Sequence, residues 1–90
     1  MNLTKNEIAV LTAIDSSEYG DSLQDTVWTF TIAQNSSLTP RSIPGIVASL
    51  LKKGLVHVGE SDGEKTIGIT DGGVAAYINA VGQANVKKAI

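Results

Sequence analysis

The side chains most suited to a chemical role are hydrogen-bond donors that could bind another molecule. Several of them lie close together within residues 38–56. The donors in this stretch are Thr39, Arg41, Ser42, Ser49, Lys52 and Lys53. A guanidinium can donate two parallel hydrogen bonds to a guanine edge, and hydroxyl and ammonium groups donate to phosphate oxygens. These residue types are therefore typical of a contact with nucleic acid.

Other reactive residue types do not indicate a catalytic centre. His57 is the single histidine, the sequence has no cysteine, and no serine lies in a nucleophile-elbow context. Asp62 and Glu64 lack the spacing of an EF-hand calcium site. Both residues flank a tight turn, and the requirements of that turn account for their presence. The glycines form no strand–GxxxxGK[ST]–helix phosphate loop. We therefore expect no enzyme activity and no metal or nucleotide cofactor.

A helix is predicted around the donors. Apolar residues recur at i, i+3, i+4, i+7 and i+8 along one face, namely Ile43, Ile46, Val47, Leu50 and Leu51. Thr39 or Ser42 can cap its start, and Pro40 fits the first helical position if Thr39 is the cap. Gly54 suits the left-handed exit. We predict a helix over about residues 40–53.

The face opposite this apolar stripe is small and polar, so it can lie flat against a partner. At 100° per residue its members are Arg41, Gly45, Ala48, Ser49 and Lys52. We predict that this helix enters the major groove of double-stranded DNA with Arg41 on a guanine, while Gly45 and Ser49 allow close backbone approach. Lys52 and Lys53 are candidate phosphate contacts. Thr39 and Ser42 either donate to phosphate or cap the helix.

The flanking segments predict the elements that position this helix. Thr4 and Glu7 form a capping box before a helix over about 5–16. A short strand is expected within 26–31, with Trp28 as a core residue rather than a stacking platform for bases, and a short helix over 31–36.

A hairpin and a last helix follow the central helix. Strands are expected over 55–58 and 65–69 around the turn dipeptide Asp62-Gly63. Thr70 can cap a last helix that Gly82 ends. The order helix, strand, helix, helix, strand, strand, helix is that of a winged helix–turn–helix, a mainly α fold with a small β-hairpin. Residues 59–65 would be the wing, with Lys65 as a phosphate contact.

Composition predicts one domain. The chain has 90 residues, 42% of them hydrophobic and 4% aromatic, which indicates an aliphatic core. We expect this core to contain Leu11, Ile46, Leu50, Leu55, Ile67 and Ile78. The domain should cover residues 1–82, and 83–90 should form a C-terminal helix extension or a tail. No apolar run reaches the length of a membrane span, and no signal pattern opens the chain. The absence of cysteine favours the cytoplasm.

Charge is distributed unevenly along the chain. The net charge is −2, with one lysine against five carboxylates in residues 1–37 and four cations against three carboxylates in residues 38–65. The segment predicted to contact DNA, residues 38–65, is therefore less acidic than residues 1–37, although it does not form a strong basic patch.

Three segments together resemble the MarR-like family of winged-helix transcriptional regulators. Residues 32–39 are similar to the family pattern LAxxLxLS, residues 42–56 to TVSxxVxxLxxKGLV, and residues 69–73 to LTxxG. This resemblance implies a winged-helix fold and a regulator that binds specific duplex DNA. The wing tip departs from the family in being mostly acidic, and Pro44 and Gly45 stand where polar or basic readers are common. The family's long flanking dimer helices have no counterpart in these residues, so effector binding is not implied.

Two further interpretations stay open from the sequence. A winged helix can dock a protein partner without binding DNA, and the acidic N-terminal half and the poorly basic wing favour this alternative. A homodimer is expected if DNA is the partner, because one copy offers few cations. The last helix, continued through Val86, would then supply an apolar seam.

Overall fold

The computed structural model describes residues 2–90 and has the predicted order of elements. Its four helices and three strands are α1 (Lys5–Ser16), β1 (Val27–Trp28), α2 (Phe30–Gln34), α3 (Ile43–Lys52), β2 (Val56–Ser61), β3 (Glu64–Ile69) and α4 (Asp71–Val81). The strands form one antiparallel sheet in the order β1-β3-β2. With α2 and α3 joined by a turn and β2 and β3 forming a hairpin, this is the winged helix–turn–helix that the sequence predicts.

The predicted capping box begins α1. The Thr4 hydroxyl accepts a hydrogen bond from the Glu7 amide at 3.1 Å, and the Glu7 carboxylate accepts one from the Thr4 amide at 2.8 Å. These bonds satisfy two amides that a helix start leaves without partners. The predicted bounds of 5–16 are confirmed.

The segment before the helix–turn–helix differs from prediction. Only Val27 and Trp28 are strand residues, and α2 already begins at Phe30. The chain turns here because the Thr29 amide donates to the Lys65 carbonyl at 3.0 Å, while the Thr31 hydroxyl donates back to the Trp28 carbonyl at 2.9 Å. Trp28 is half-buried rather than a core residue, and its ring stacks on that of Phe30 at 6.2 Å.

Helix α3 begins three residues later than the sequence predicts. Residues 40–42 form a turn in which the amide and the hydroxyl of Ser42 both donate to the Thr39 carbonyl. Neither candidate hydroxyl caps the helix. A helix starting at Pro40 would require an amide proton at position 44 to reach its carbonyl, and Pro44 has none.

The core lies between the helices and the sheet. Of the six predicted core residues, Leu11, Leu50, Leu55 and Ile67 are buried, and Ile46 and Ile78 are half-buried against the same cluster. This confirms that the separate periodicities of α1, α3, β3 and α4 converge on one core.

The wing is a two-residue hairpin. Asp62 and Gly63 have φ values of 53° and 79°, as a turn between right-twisted strands requires. The ladder continues to the pair Ser61 and Glu64, so both strands run further toward the tip than predicted. The turn therefore occupies only the Asp-Gly dipeptide.

Gly73 allows α4 to lie directly against the start of the wing. A Cβ atom at this position would stand 2.0 Å from the carbonyl oxygen of Leu55, which is backbone and cannot rotate away. At Gly72 the nearest atoms would be 3.8 Å or more from a Cβ, an ordinary contact. The two adjacent glycines of the last family-like segment thus have different roles.

We expect Gly73→Ala to lower the free energy of unfolding by about 1–3 kcal/mol, because helix and hairpin must move apart. Gly72→Ala is the matched control and should be neutral or stabilising by up to ~1 kcal/mol through helix propensity. Urea titration of both variants checks this. Equal changes in the two variants would show that the close approach has no energetic weight.

The C-terminal segment does not continue α4. Gly82, with φ of 87°, ends the helix, and a single 3₁₀ turn over Gln83–Asn85 follows. The chain then returns to α1, where the buried Asp15 carboxylate accepts from the amides of Lys87 and Lys88 at 3.0 and 2.8 Å. The predicted continuation of the last helix through Val86 is therefore wrong, and residues 83–90 correspond to the alternative of a tail. The homodimer itself stays a prediction.

Asp15 also holds α4 against α1. It accepts a hydrogen bond from the Tyr77 hydroxyl at 2.8 Å. Burial and this hydrogen bond raise the pKa of Tyr77 to about 12. The same carboxylate therefore joins α1, α4 and the C-terminal segment.

Over residues 2–90, no helix is both long and apolar enough to cross a membrane.

Candidate nucleic-acid interface

The turn between α2 and α3 is held by its own polar side chains. Ser36 stands where a hydrophobic residue is usual before such a turn. Its hydroxyl donates to the Ile32 carbonyl at 2.6 Å and accepts from the Leu38 amide at 3.3 Å. Asn35 donates to the Thr31 carbonyl at 2.9 Å, which helps end α2. Leu38 is half-buried against the core, so the apolar anchor of the turn follows Ser36 by two residues.

Four of the predicted contact residues lie exposed on or just before α3. They are Thr39, Arg41, Gly45 and Lys52. A Cβ at Gly45 would meet nothing within 4 Å, so this part of the helix surface is open. None of the carboxylates in residues 2–90 forms a salt bridge with Arg41. Its guanidinium therefore keeps its donors for another molecule.

Ser42 lies beside this group but uses its donors locally. Both its hydroxyl and its amide point to the Thr39 carbonyl, at 2.8 and 3.0 Å. A donation from this hydroxyl to phosphate would require that the turn before α3 lose one of its bonds.

Ser49 and Lys53 face α1, although the sequence predicts Ser49 on the outward face of the helix and Lys53 as a phosphate contact. The Ser49 hydroxyl donates to the Glu7 carboxylate at 2.6 Å, and the Lys53 ammonium forms a 2.6 Å salt bridge with it. Lys53 also donates to the Asn2 carbonyl at 3.1 Å. Helix periodicity places Ser49 away from Ile43, and Lys53 three residues after Leu50 at the edge of the apolar stripe. Because α1 packs on this side of α3, the polar groups of both residues are already occupied.

Glu7 is the buried centre of this contact, with 1% of its surface exposed. Burial by itself raises the pKa of this carboxyl. The bonds from Lys53, Ser49 and the Thr4 amide outweigh it, and together they lower the pKa to about 2. Glu7 therefore stays ionised at neutral pH and fixes α3 on α1, so this network positions the candidate interface.

An apolar groove of about 480 Å³ runs between α3 and the wing. We call it the α3–wing groove; its apolar lining includes Pro44, Val47, Ala48, Leu51 and Val58. Leu51, which its spacing assigns to the apolar stripe, is 40% exposed here, and Val58 is 48% exposed. The apolar stripe of α3 is thus wider than the part of the helix that packs against the core, and Leu51 at its edge is exposed to water.

The wing contributes one cation near carboxylates. Lys65 is exposed and forms a direct cross-strand pair with Glu60, so the two side chains share a face of the hairpin. Asp62 and Glu64 at the tip are also exposed. Lys65 lines the groove together with Glu60, which leaves this rim nearly neutral.

The helical periodicity of α3 could not predict the apolar residues that the wing contributes to the α3–wing groove, such as Val58. Val58 pairs with Ile67, and Val56 pairs with Ile69, so these four side chains share the face of the sheet that continues from the core. Strand alternation was a signal that could have placed Val58 on that face. Val58 remains exposed because α3 does not extend far enough to cover it.

Among the described residues, no group of three His, Asp or Glu side chains could hold a metal ion.

The chain has a winged helix–turn–helix fold, and this fold is similar to that of a MarR-family protein of known structure. The solved structure of BpsR from Bordetella bronchiseptica, a MarR-family regulator whose DNA binding is regulated by 6-hydroxynicotinic acid, matches it with a TM-score of 0.71. The sequence identity is 16%, and the match covers 88% of this chain and 53% of BpsR. The chain thus spans about half the length of BpsR, and the likeness concerns the fold. Searches with family models and against characterised protein sequences give no match.

Proposed function

We propose that this chain binds double-stranded DNA sequence-specifically and acts as a transcriptional regulator. The observation that carries the proposal is the placement of Arg41 immediately before α3, exposed and without an intramolecular salt bridge, in a winged-helix fold. Helix–turn–helix proteins direct the N-terminal residues of the second helix to base edges in the major groove. In this arrangement Arg41 reads a guanine, and Lys52 and Lys65 contact phosphates on either side of the groove.

The electrostatics of α3 support this assignment. Residues 38–56 contain three cations and no carboxylate, and Glu7 neutralises one of them, Lys53. Arg41 and Lys52 remain as exposed cations on one helix. This local excess favours a polyanion even though the chain carries a net charge of −2.

The direct test is a mobility-shift titration at several salt concentrations, followed by selection of a preferred site from a random duplex pool. Binding that falls steeply as salt rises indicates counterion release from phosphates, and enrichment of one site shows specificity. A chain that shifts no duplex at low salt is not a DNA-binding protein. The winged helix would then be a protein-docking module.

Arg41→Ala should weaken binding to the selected site by about 1–3 kcal/mol and relax the preference at one base pair. Stability should stay within about 0.5 kcal/mol of wild type, since Arg41 is exposed. The matched comparison is Lys65→Ala, which should weaken binding to all sequences evenly and reduce the salt slope by about 1. Titration of each variant with the selected and a scrambled duplex measures both effects. If Arg41→Ala binds both duplexes as wild type does, Arg41 does not read the groove.

We further propose that two copies bind one DNA site. A single copy presents Arg41, Lys52 and Lys65 at the interface, which is few for tight specific binding. Two copies on half-sites one helical turn apart would double these contacts. Sedimentation of the chain with the selected duplex measures the ratio directly. We expect two chains per duplex, and one chain per duplex at saturation contradicts the proposal.

A further inference from the structure

The outward surface of α3 carries apolar side chains between its cations. Pro44, Ala48 and Leu51 are exposed there, while Arg41 and Lys52 lie at the two ends. Leu51 at 40% and Val58 at 48% are among the exposed large hydrophobic residues of the molecule. Leaving such groups in water is unfavourable unless a partner covers them.

The floor of the major groove offers one apolar group, the 5-methyl of thymine. From the proposed DNA binding and the exposed apolar side chains on the same helix face, we infer that Ala48 and Leu51 contact thymine methyl groups. The selected site therefore contains A·T pairs beside the guanine that Arg41 reads.

The spacing along α3 fits this assignment. Ala48 and Leu51 are three residues apart, so they are neighbours on one face, about 4.5 Å apart along the helix axis. Successive base pairs are separated by about 3.4 Å. Gly45 has open space where a Cβ would lie, which allows α3 to approach the bases closely. The two side chains can thus meet methyl groups on adjacent base pairs.

The charges on α3 favour DNA over a protein segment as the partner, and on the wing side of the groove Lys65 is paired with Glu60. The exposed ionic groups of α3 are cationic, and no carboxylate occurs in residues 38–56. A purely apolar peptide would leave Arg41 and Lys52 unpaired at the rim. Duplex DNA supplies phosphates at both edges of the groove and methyl groups between them.

Replacing thymine with deoxyuridine tests the inference, since uracil pairs identically and lacks only the methyl group. The probe is the selected duplex made once with thymidine and once with deoxyuridine at every thymine position. Wild type should bind the thymidine duplex at least about fourfold more tightly, the value of one buried methyl group, and about fifteenfold more tightly if both contacts form. Leu51→Ser should bring this ratio close to that of a single contact or below. Lys65→Ala is the control and should weaken binding to both duplexes while the ratio stays unchanged.

The outcomes separate this inference from the proposed function. Equal affinity of wild type for both duplexes overturns the methyl contacts and leaves sequence-specific DNA binding in place. An unchanged ratio in Leu51→Ser also overturns them, because the discrimination would then come from DNA shape. Failure of wild type to bind any duplex overturns both proposals. A urea titration of Leu51→Ser confirms that the variant is folded, and Ala48→Gly provides a second test on a residue outside the core.

Discussion

Leu50→Ala should lower the free energy of unfolding by about 2–5 kcal/mol. Leu50 is 0% exposed and lies in the core where α3 meets α1 and the sheet. Removing its side chain loses the transfer energy of the buried methyl groups and leaves a cavity that rigid helices fill only in part. A 90-residue domain is stable by roughly 5–13 kcal/mol, so this single change removes a large share.

The neighbouring Leu51→Ala is the matched control for this change. Leu51 has the same side chain on the same helix, but it is 40% exposed at the α3–wing groove. We expect a loss of under about 1 kcal/mol there, because less apolar area leaves water on folding. Urea titration with a common slope gives both values. A loss below about 0.5 kcal/mol for Leu50→Ala would show that the central helix does not depend on this contact.

Lys53→Met should lower the free energy of unfolding by about 3 kcal/mol at neutral pH. The substitution keeps most of the aliphatic stem but removes the ammonium that lies 2.6 Å from the Glu7 carboxylate. Glu7 then keeps only the Ser49 hydroxyl and the Thr4 amide as donors, in a site where 1% of the residue is exposed. Removing one partner of a buried pair leaves an uncompensated charge, which costs more than the pair contributes.

The pH dependence of stability distinguishes this explanation from a loss of packing. In the wild type the pKa of Glu7 is about 2, below the ordinary 4.5. The ionised carboxylate therefore contributes about 3 kcal/mol that is fully present above pH 4.5 and is lost as the pH falls toward 2. In Lys53→Met the pKa should rise toward or above its ordinary value, so this loss on acidification should disappear.

Lys52→Met is the control, because Lys52 is exposed beside Lys53 and does not reach Glu7. Its stability and its acid dependence should match those of the wild type within about 0.5 kcal/mol. Thermal unfolding of the three proteins between pH 2 and 7 provides the comparison. A steep acid loss retained in Lys53→Met would mean that another carboxylate controls it.

The sequence by itself determined the order of elements, the first helix cap and the wing turn. The capping box of Thr4 and Glu7 and the left-handed turn at Asp62-Gly63 depend on atoms within three or four residues of each other, so local physics specifies them. Leu50 and Ile67 were identified as core residues because their periodicity reports which face of an element is buried.

Tertiary structure decided which side chains of the candidate site are free. Periodicity places Ser49 beside the apolar stripe and Lys53 at its edge, but only the packing of α1 directs them to Glu7, 42 and 46 residues away in the chain. The C-terminal segment returns to Asp15 across 73 residues, a contact that no local pattern records. The α3–wing groove likewise exists because two elements with separate periodicities end at the same edge of the core. Contacts between distant residues depend on how all the elements pack together. Local patterns in a single sequence therefore do not show which of these residues will meet.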